Sequence, residues 1–262
     1  MSRVAQSVSV LVVAVVVGAC TGEPPLVEVK GNCADAFRAE VCTWATTKGA
    51  DLVEAGAMVP LASIENAPAD QPMVWPPVAA ATIDLPAAAQ AQGGLTQLTM
   101  YWEAGGHPPV PFLTPHFDFH FNTVGAADRA AMDCKDATKP AALPASYALP
   151  DIPLPPEMQK VMGVPALISL CVPQMGMHAL LASEIERKDA FNGTMVIGYW
   201  KGKPIFIEPM VTQAMLMKKE SFDLPIPDIP GMTGAHPTKF RAEYDAKKQA
   251  YKFTLSAFTK AA

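Results

Sequence analysis

The sequence predicts an α+β domain built largely from antiparallel β-sheet, with few short helices and long, ordered, proline-rich loops. Three observations lead there. Several stretches alternate apolar and polar residues with a period of two, the pattern of strands rather than helices. Prolines crowd the segments between them and exclude helices of ordinary length. No period of roughly 20 to 50 residues repeats, which rules out solenoids and propellers.

The first nineteen residues form a targeting segment. Arg3 gives a positive start, Val8 to Ala19 is apolar, and Val17-Gly18-Ala19-Cys20 closes it. A spanning helix needs roughly 20 apolar residues, and this run is shorter and meets polar Thr21-Gly22-Glu23-Pro24-Pro25 at once. It resembles the signal peptide and lipobox of bacterial lipoprotein precursors. That resemblance implies cleavage before Cys20, acylation of Cys20 and an extracytoplasmic, lipid-anchored protein facing the periplasm or the cell exterior. Thr21 after the cysteine favours the outer membrane. Residues 20–32 read as the lipidated cysteine and a tether, and residues 33–262 as a single globular domain.

Within that domain Ala34 to Cys42 has helical composition. Val59 to Gly94, broken by Pro60, Pro68, Pro72, Pro76, Pro77 and Pro86, reads as an ordered loop anchored by Trp75, Ile83 and Leu85. Leu98, Met100 and Trp102 then alternate with polar neighbours, as do Phe117, Phe119 and Phe121 with His116, Asp118 and His120. Short helices are expected at Ala126–Met132, Glu157–Met162 and Ala179–Arg187, with a proline-rich crossover from Pro140 to Pro156. Two hairpins follow: Met195 to Ile207 around Lys201-Gly202-Lys203, and Phe240 to Leu255 around Ala246–Gln249.

Composition narrows the partners. Loss of residues 1–19 removes Arg3 alone and moves the formal charge from −5 to −6, and no basic stripe is present, so nucleic acid is not expected. Membrane lipid, through acylated Cys20, is the expected partner, and a homo-oligomer is compatible with the sequence. After Cys20 is acylated, Cys33, Cys42, Cys134 and Cys171 remain, an even set that suits two disulfides in an oxidising compartment. Cys33 with Cys42 and Cys134 with Cys171 is the favoured pairing. Thiolate ligation of zinc is the rival reading, which the lack of a Cys-x-x-Cys pair disfavours.

Three of the five histidines, His107, His116 and His120, fall close together in sequence. On a strand, His116, Asp118 and His120 share one face while the phenylalanines take the other. With about 3.3 Å per residue, the His116 and His120 alpha carbons lie roughly 13 Å apart, whereas a metal needs nitrogens at about 2.0–2.1 Å. A bulge, or an Asp118 that orients a ligating histidine, would resolve the strain. A pair such as Asp118 and His120 could also ligate together with help from elsewhere. His107, His178, Glu103 and Glu208 are the candidates. Zinc suits imidazole and carboxylate, and other divalent metals remain open; Met175 and Met177 beside His178 raise copper. The plainer reading is that each histidine donates to a main-chain carbonyl. His236, before Pro237, reads as a loop residue, and Asn192-Gly193-Thr194 as a chance sequon. Gly-x-Ser-x-Gly, phosphate-cradling glycine loops and His-Glu-x-x-His are absent from the sequence.

Gly106-His107-Pro108-Pro109, Pro115-His116-Phe117-Asp118-Phe119-His120-Phe121, Met175-Gly176-Met177-His178 and Phe206-Ile207-Glu208-Pro209-Met210 occur in that order. Over about residues 44–258 the chain resembles a bacterial family of uncharacterised extracytoplasmic domains named after a sigma-E-controlled protein of Thermus. The resemblance implies an α+β domain with much antiparallel sheet and a polar cluster of His107, His116, Asp118, His120, His178 and Glu208. It implies no particular activity. Ala179 departs from the pattern, since members often carry an aromatic after that histidine.

Three functions follow from these readings. The first is a lipid-anchored protein binding a metal ion, or a small ligand through it. A metal-dependent enzyme on the same ligands, with Glu208 or Glu103 as general base, is the second. The third is a structural or envelope-stress protein without metal.

Overall fold

A computed structural model describes residues 23–259. The expected signal peptide and Cys20 lie outside the described residues.

Twelve strands longer than two residues organise these residues: β1 (Leu26–Asp35), β2 (Glu40–Lys48), β3 (Asp51–Pro60), β4 (Ala81–Asp84), β5 (Gln97–Glu103), β6 (His116–Asn122), β7 (Gly176–Leu181), β8 (Gly193–Trp200), β9 (Lys203–Thr212), β10 (Phe222–Pro225), β11 (Lys239–Asp245) and β12 (Ala250–Ser256). One sheet runs β1-β2-β3-β12-β11-β10. The other runs β7-β8-β9-β6-β5-β4, extended beyond β7 by Cys171–Val172. All pairings are antiparallel. The helices are short, from four to seven residues among those described, so the fold is mostly β.

The alternating residues of β6 divide as the period of two requires. Phe117, Phe119 and Phe121 enter a core drawn from both sheets, where Phe119 meets Phe253 of β12 edge-on at 4.8 Å. Burial of that kind is the main drive for two sheets to pack. The opposite face is also withdrawn from solvent: β6 is buried along its whole length, because loops and a second apolar cluster around Met162, Leu170, Phe191 and Phe206 cover it. The polar face of β6 is thereby enclosed.

Several local expectations give way to long-range pairing. Residues 26–32, read as tether, belong to β1, whose backbone pairs with β2 although Leu26, Val27 and Val29 stay exposed. Main-chain hydrogen bonds hold an edge strand without apolar burial. Ala34–Cys42 is the tip of a hairpin, the end of β1 and the start of β2 joined by a tight turn: Phe37 and Arg38 take positive φ, and Cys33 pairs directly with Cys42. Ala179 to Leu181 completes β7, leaving only Ala182–Ile185 helical, because Met177 to Ala179 pairs with Ile197 to Tyr199. The proline-rich stretch after β3 is less loop-like than expected, with helices at Leu61–Glu65 and Ala87–Gly93 around β4. The helices at Ala126–Ala130 and Pro156–Met162 and both hairpins stand near their expected places.

Both favoured disulfides are present, Cys33–Cys42 and Cys134–Cys171. The second spans 37 positions, so its loss frees a long loop in the unfolded chain. Cys134→Ser with Cys171→Ser is expected to cost roughly 3–4 kcal/mol in urea unfolding. A loss below about 1 kcal/mol would contradict that.

Candidate metal centre

Four elements deliver the polar residues. β6 supplies His116, Asp118 and His120, and its neighbour β9 supplies Glu208. His178 comes from β7, and the turn after β5 brings in His107. Gly106 makes that turn feasible. Its φ is +68°, and a Cβ there would collide with the Phe112 carbonyl, so the loop closes back on itself with the His107 N–H donating to that carbonyl at 3.2 Å. Gly106→Ala is expected to cost at least about 1–2 kcal/mol and to pull His107 away from Asp118, which denaturant unfolding and metal titration would detect. Gly198 plays a related part. It faces Phe206 across β8 and β9, and its missing side chain lets the Phe206 ring lie over it and stack on His120 at 4.2 Å.

The six residues gather into two triads: His107, His116 and Asp118 in one, His120, His178 and Glu208 in the other, with the ligand atoms of each within 4.8 Å of one another. Asp118 and His120 fall in different triads. Asp118 turns its oxygens the other way, Oδ1 lying 3.3 Å from His116 Nε2 and Oδ2 3.6 Å from His107 Nε2. His120 Nε2 instead lies 3.5 Å from Glu208 Oε2. Each triad is a group of buried or half-buried donors that could hold a metal ion.

The plainer reading of the histidines is half right. His107, His116 and His178 do donate Nδ1–H to main-chain carbonyls, of Pro108 at 2.9 Å, Thr114 at 2.7 Å and Leu170 at 3.0 Å. A carbonyl only accepts, so each Nδ1 must carry the proton, and in a neutral ring Nε2 is left as a lone pair. Those Nε2 atoms turn inward. Main-chain carbonyls on the far nitrogen are the usual way a metal-binding imidazole is oriented.

Electrostatics place the protons. Burial pushes His116, His120 and His178 each down to about 4, so they are neutral near pH 7. His107 keeps 26% of its side chain exposed, and the Asp118 carboxylate outweighs the effect of burial and lifts it to about 9. Burial also opposes charge on Asp118, but the flanking His116 and His107 imidazoles outweigh it and keep the carboxyl below its usual range. Burial, reinforced by the charge of Asp118, raises Glu208 to about 8. Without metal, therefore, each triad holds about one proton, on His107 in the first and Glu208 in the second.

Both triads reach one cavity of about 40 Å³, lined by His107 and Asp118 from the first and by His120, His178 and Glu208 from the second. Trp75 and Pro77 from the long loop, with Met162, Leu170 and Met175, give it apolar walls. Met175 is thus near the candidate ligands. Met177 is not, because the strand's alternation sends it into the core between the sheets. Glu103 belongs to neither triad but lines the same cavity, and burial raises it to about 7. His236 lies apart, its Nδ1 at 3.2 Å from the Gly234 carbonyl. The sequence pattern missed Tyr101, which sits opposite Asp118 and packs against His120 at 5.0 Å; its place in the β5 alternation was the only signal.

No family model, curated protein or solved structure matches the chain.

Proposed function

We propose that this chain is a lipid-anchored extracytoplasmic protein, a single α+β domain that binds a divalent metal ion through its enclosed histidines and carboxylates. Zinc is the first choice, since imidazole nitrogen and carboxylate oxygen suit it and it needs no special ligand field. The two disulfides fit an oxidising compartment, in keeping with the expected signal peptide and acylated Cys20. The order of histidine and glutamate motifs supports kinship with the Thermus family of extracytoplasmic domains.

One observation carries the metal reading. His116 Nε2 and Asp118 Oδ1 face each other at 3.3 Å, both buried and neither with a hydrogen-bond partner among the described residues. The Nδ1–H of His116 is committed to Thr114 and its ring is held neutral, so two acceptors meet with no hydrogen between them. Each unpartnered group costs about 1–3 kcal/mol. A cation between them reverses the sign of that contact. Glu208 Oε2 is likewise buried without a partner, 3.5 Å from His120 Nε2.

Metal analysis of full-length protein purified without a histidine tag is expected to find tightly held zinc, reduced in His120→Ala. A metal-free parent that also takes up no added zinc would refute the reading. Loading must displace the protons on His107 and Glu208, raised to about 9 and about 8. Apparent zinc affinity should therefore rise between pH 6 and 8 by about tenfold per pH unit for each proton displaced. Competition titrations that gave a flat profile would contradict this proton accounting.

A metal-dependent enzyme is the second reading, favoured by Glu103, a carboxyl near neutrality in the same cavity but outside both triads. Glu103→Gln should then abolish turnover of an ester substrate while leaving zinc content unchanged. Equal turnover in parent and variant would remove Glu103 from that role.

A further inference from the structure

The division into two triads goes further than metal binding as such. His116, Asp118 and His120 follow one another along a single face of β6, yet their donor atoms serve different groups. Each triad contains two imidazoles and one carboxylate, and each has buried atoms without a hydrogen-bond partner: His116 Nε2 and Asp118 Oδ1 in the first, Glu208 Oε2 in the second. A single ion cannot satisfy both sets. Ligand bonds run to about 2.0–2.2 Å, whereas the β6 ligands span roughly 13 Å of strand from His116 to His120.

Resting on the metal-binding reading, we infer that the protein holds two divalent ions side by side, one per triad, with a small oxygen-bearing monoanion in the cavity they share. Charge and volume identify that third component. Asp118, Glu208 and Glu103 are the carboxylates lining the cavity, and even with all three ionised their three negative charges leave one positive charge of two divalent ions uncompensated in a buried space. An uncompensated buried charge is costly, and a monoanion removes it. A cavity of about 40 Å³ has room for a few water-sized groups, each needing about 10–15 Å³ of such space, so formate or acetate fits between the ions. Each triad supplies three protein ligands, which leaves every ion an open position for that anion. The ions repel across the cavity, so the second binds more weakly than the first.

The test is zinc titration of metal-free full-length protein in detergent, followed by loading with cobalt(II) and addition of formate. Two zinc equivalents of unequal affinity are expected, with one remaining in His116→Gln and one in His178→Gln. Formate should shift the visible bands of the cobalt-loaded protein. A single equivalent in the parent would overturn the paired-ion inference and leave metal binding standing, whereas none would overturn both. Unchanged cobalt bands at high formate would remove the anion. The parent count decides the first point even if a variant fails to fold.

Discussion

Stripping the zinc-loaded protein with a chelator is expected to lower its melting midpoint by roughly 8–16 °C. The size follows from linkage. A ligand present at a thousand times its dissociation constant and bound only by the folded state contributes about 4 kcal/mol. In a chain of this length each kcal/mol moves the midpoint by about 2–4 °C. The direction follows from the site, where removing the cation restores the unpartnered contact of His116 Nε2 with Asp118 Oδ1 and strands Glu208 Oε2 again. Asp118→Asn should weaken this chelator response, because the amide lacks the negative charge that holds a cation in the triad of His107, His116 and Asp118. A structural protein without metal would melt at the same temperature with or without chelator.

The second large effect concerns the opposite face of the same strand. Phe119→Ala is expected to cost about 3–5 kcal/mol, or roughly 6–20 °C in midpoint. Phe119 is fully buried, stacks beside Phe117 at 5.9 Å and meets Phe253 of the other sheet at 4.8 Å. Truncation opens a cavity where the two sheets join. Because the donors project from the other side of β6, zinc content of the folded variant should match the parent. Loss of zinc together with stability would mean that the two faces are coupled through the strand.

The two faces of β6 differ in how far the sequence discloses them. Alternation of phenylalanine with histidine and aspartate is local, so the strand and its segregated faces are legible in seven consecutive residues. Glu208 and His178 can be nominated from their motifs, since each stands beside proline, glycine or methionine in an otherwise apolar stretch. Their grouping is not legible. It depends on which way Asp118 turns its two oxygens and on the carbonyls of Thr114, Pro108 and Leu170 that orient the rings, and a carbonyl has no residue signature. The first three strands were hidden for another reason. β2 and β3 pack through small residues such as Ala45, Ala55 and Ala57, and a Cβ at Gly56 would collide with the Phe253 carbonyl. Such close-packed small residues lack the large apolar alternation that marks β5, β6 and β12, so composition alone resembles helix or loop.

The most direct measurement is anomalous diffraction from crystals of the zinc-loaded protein. The account predicts a zinc peak between His116 and Asp118, within about 2.0–2.2 Å of Nε2 and a carboxylate oxygen. An ordered water, or no density, at that position in zinc-loaded crystals would contradict it.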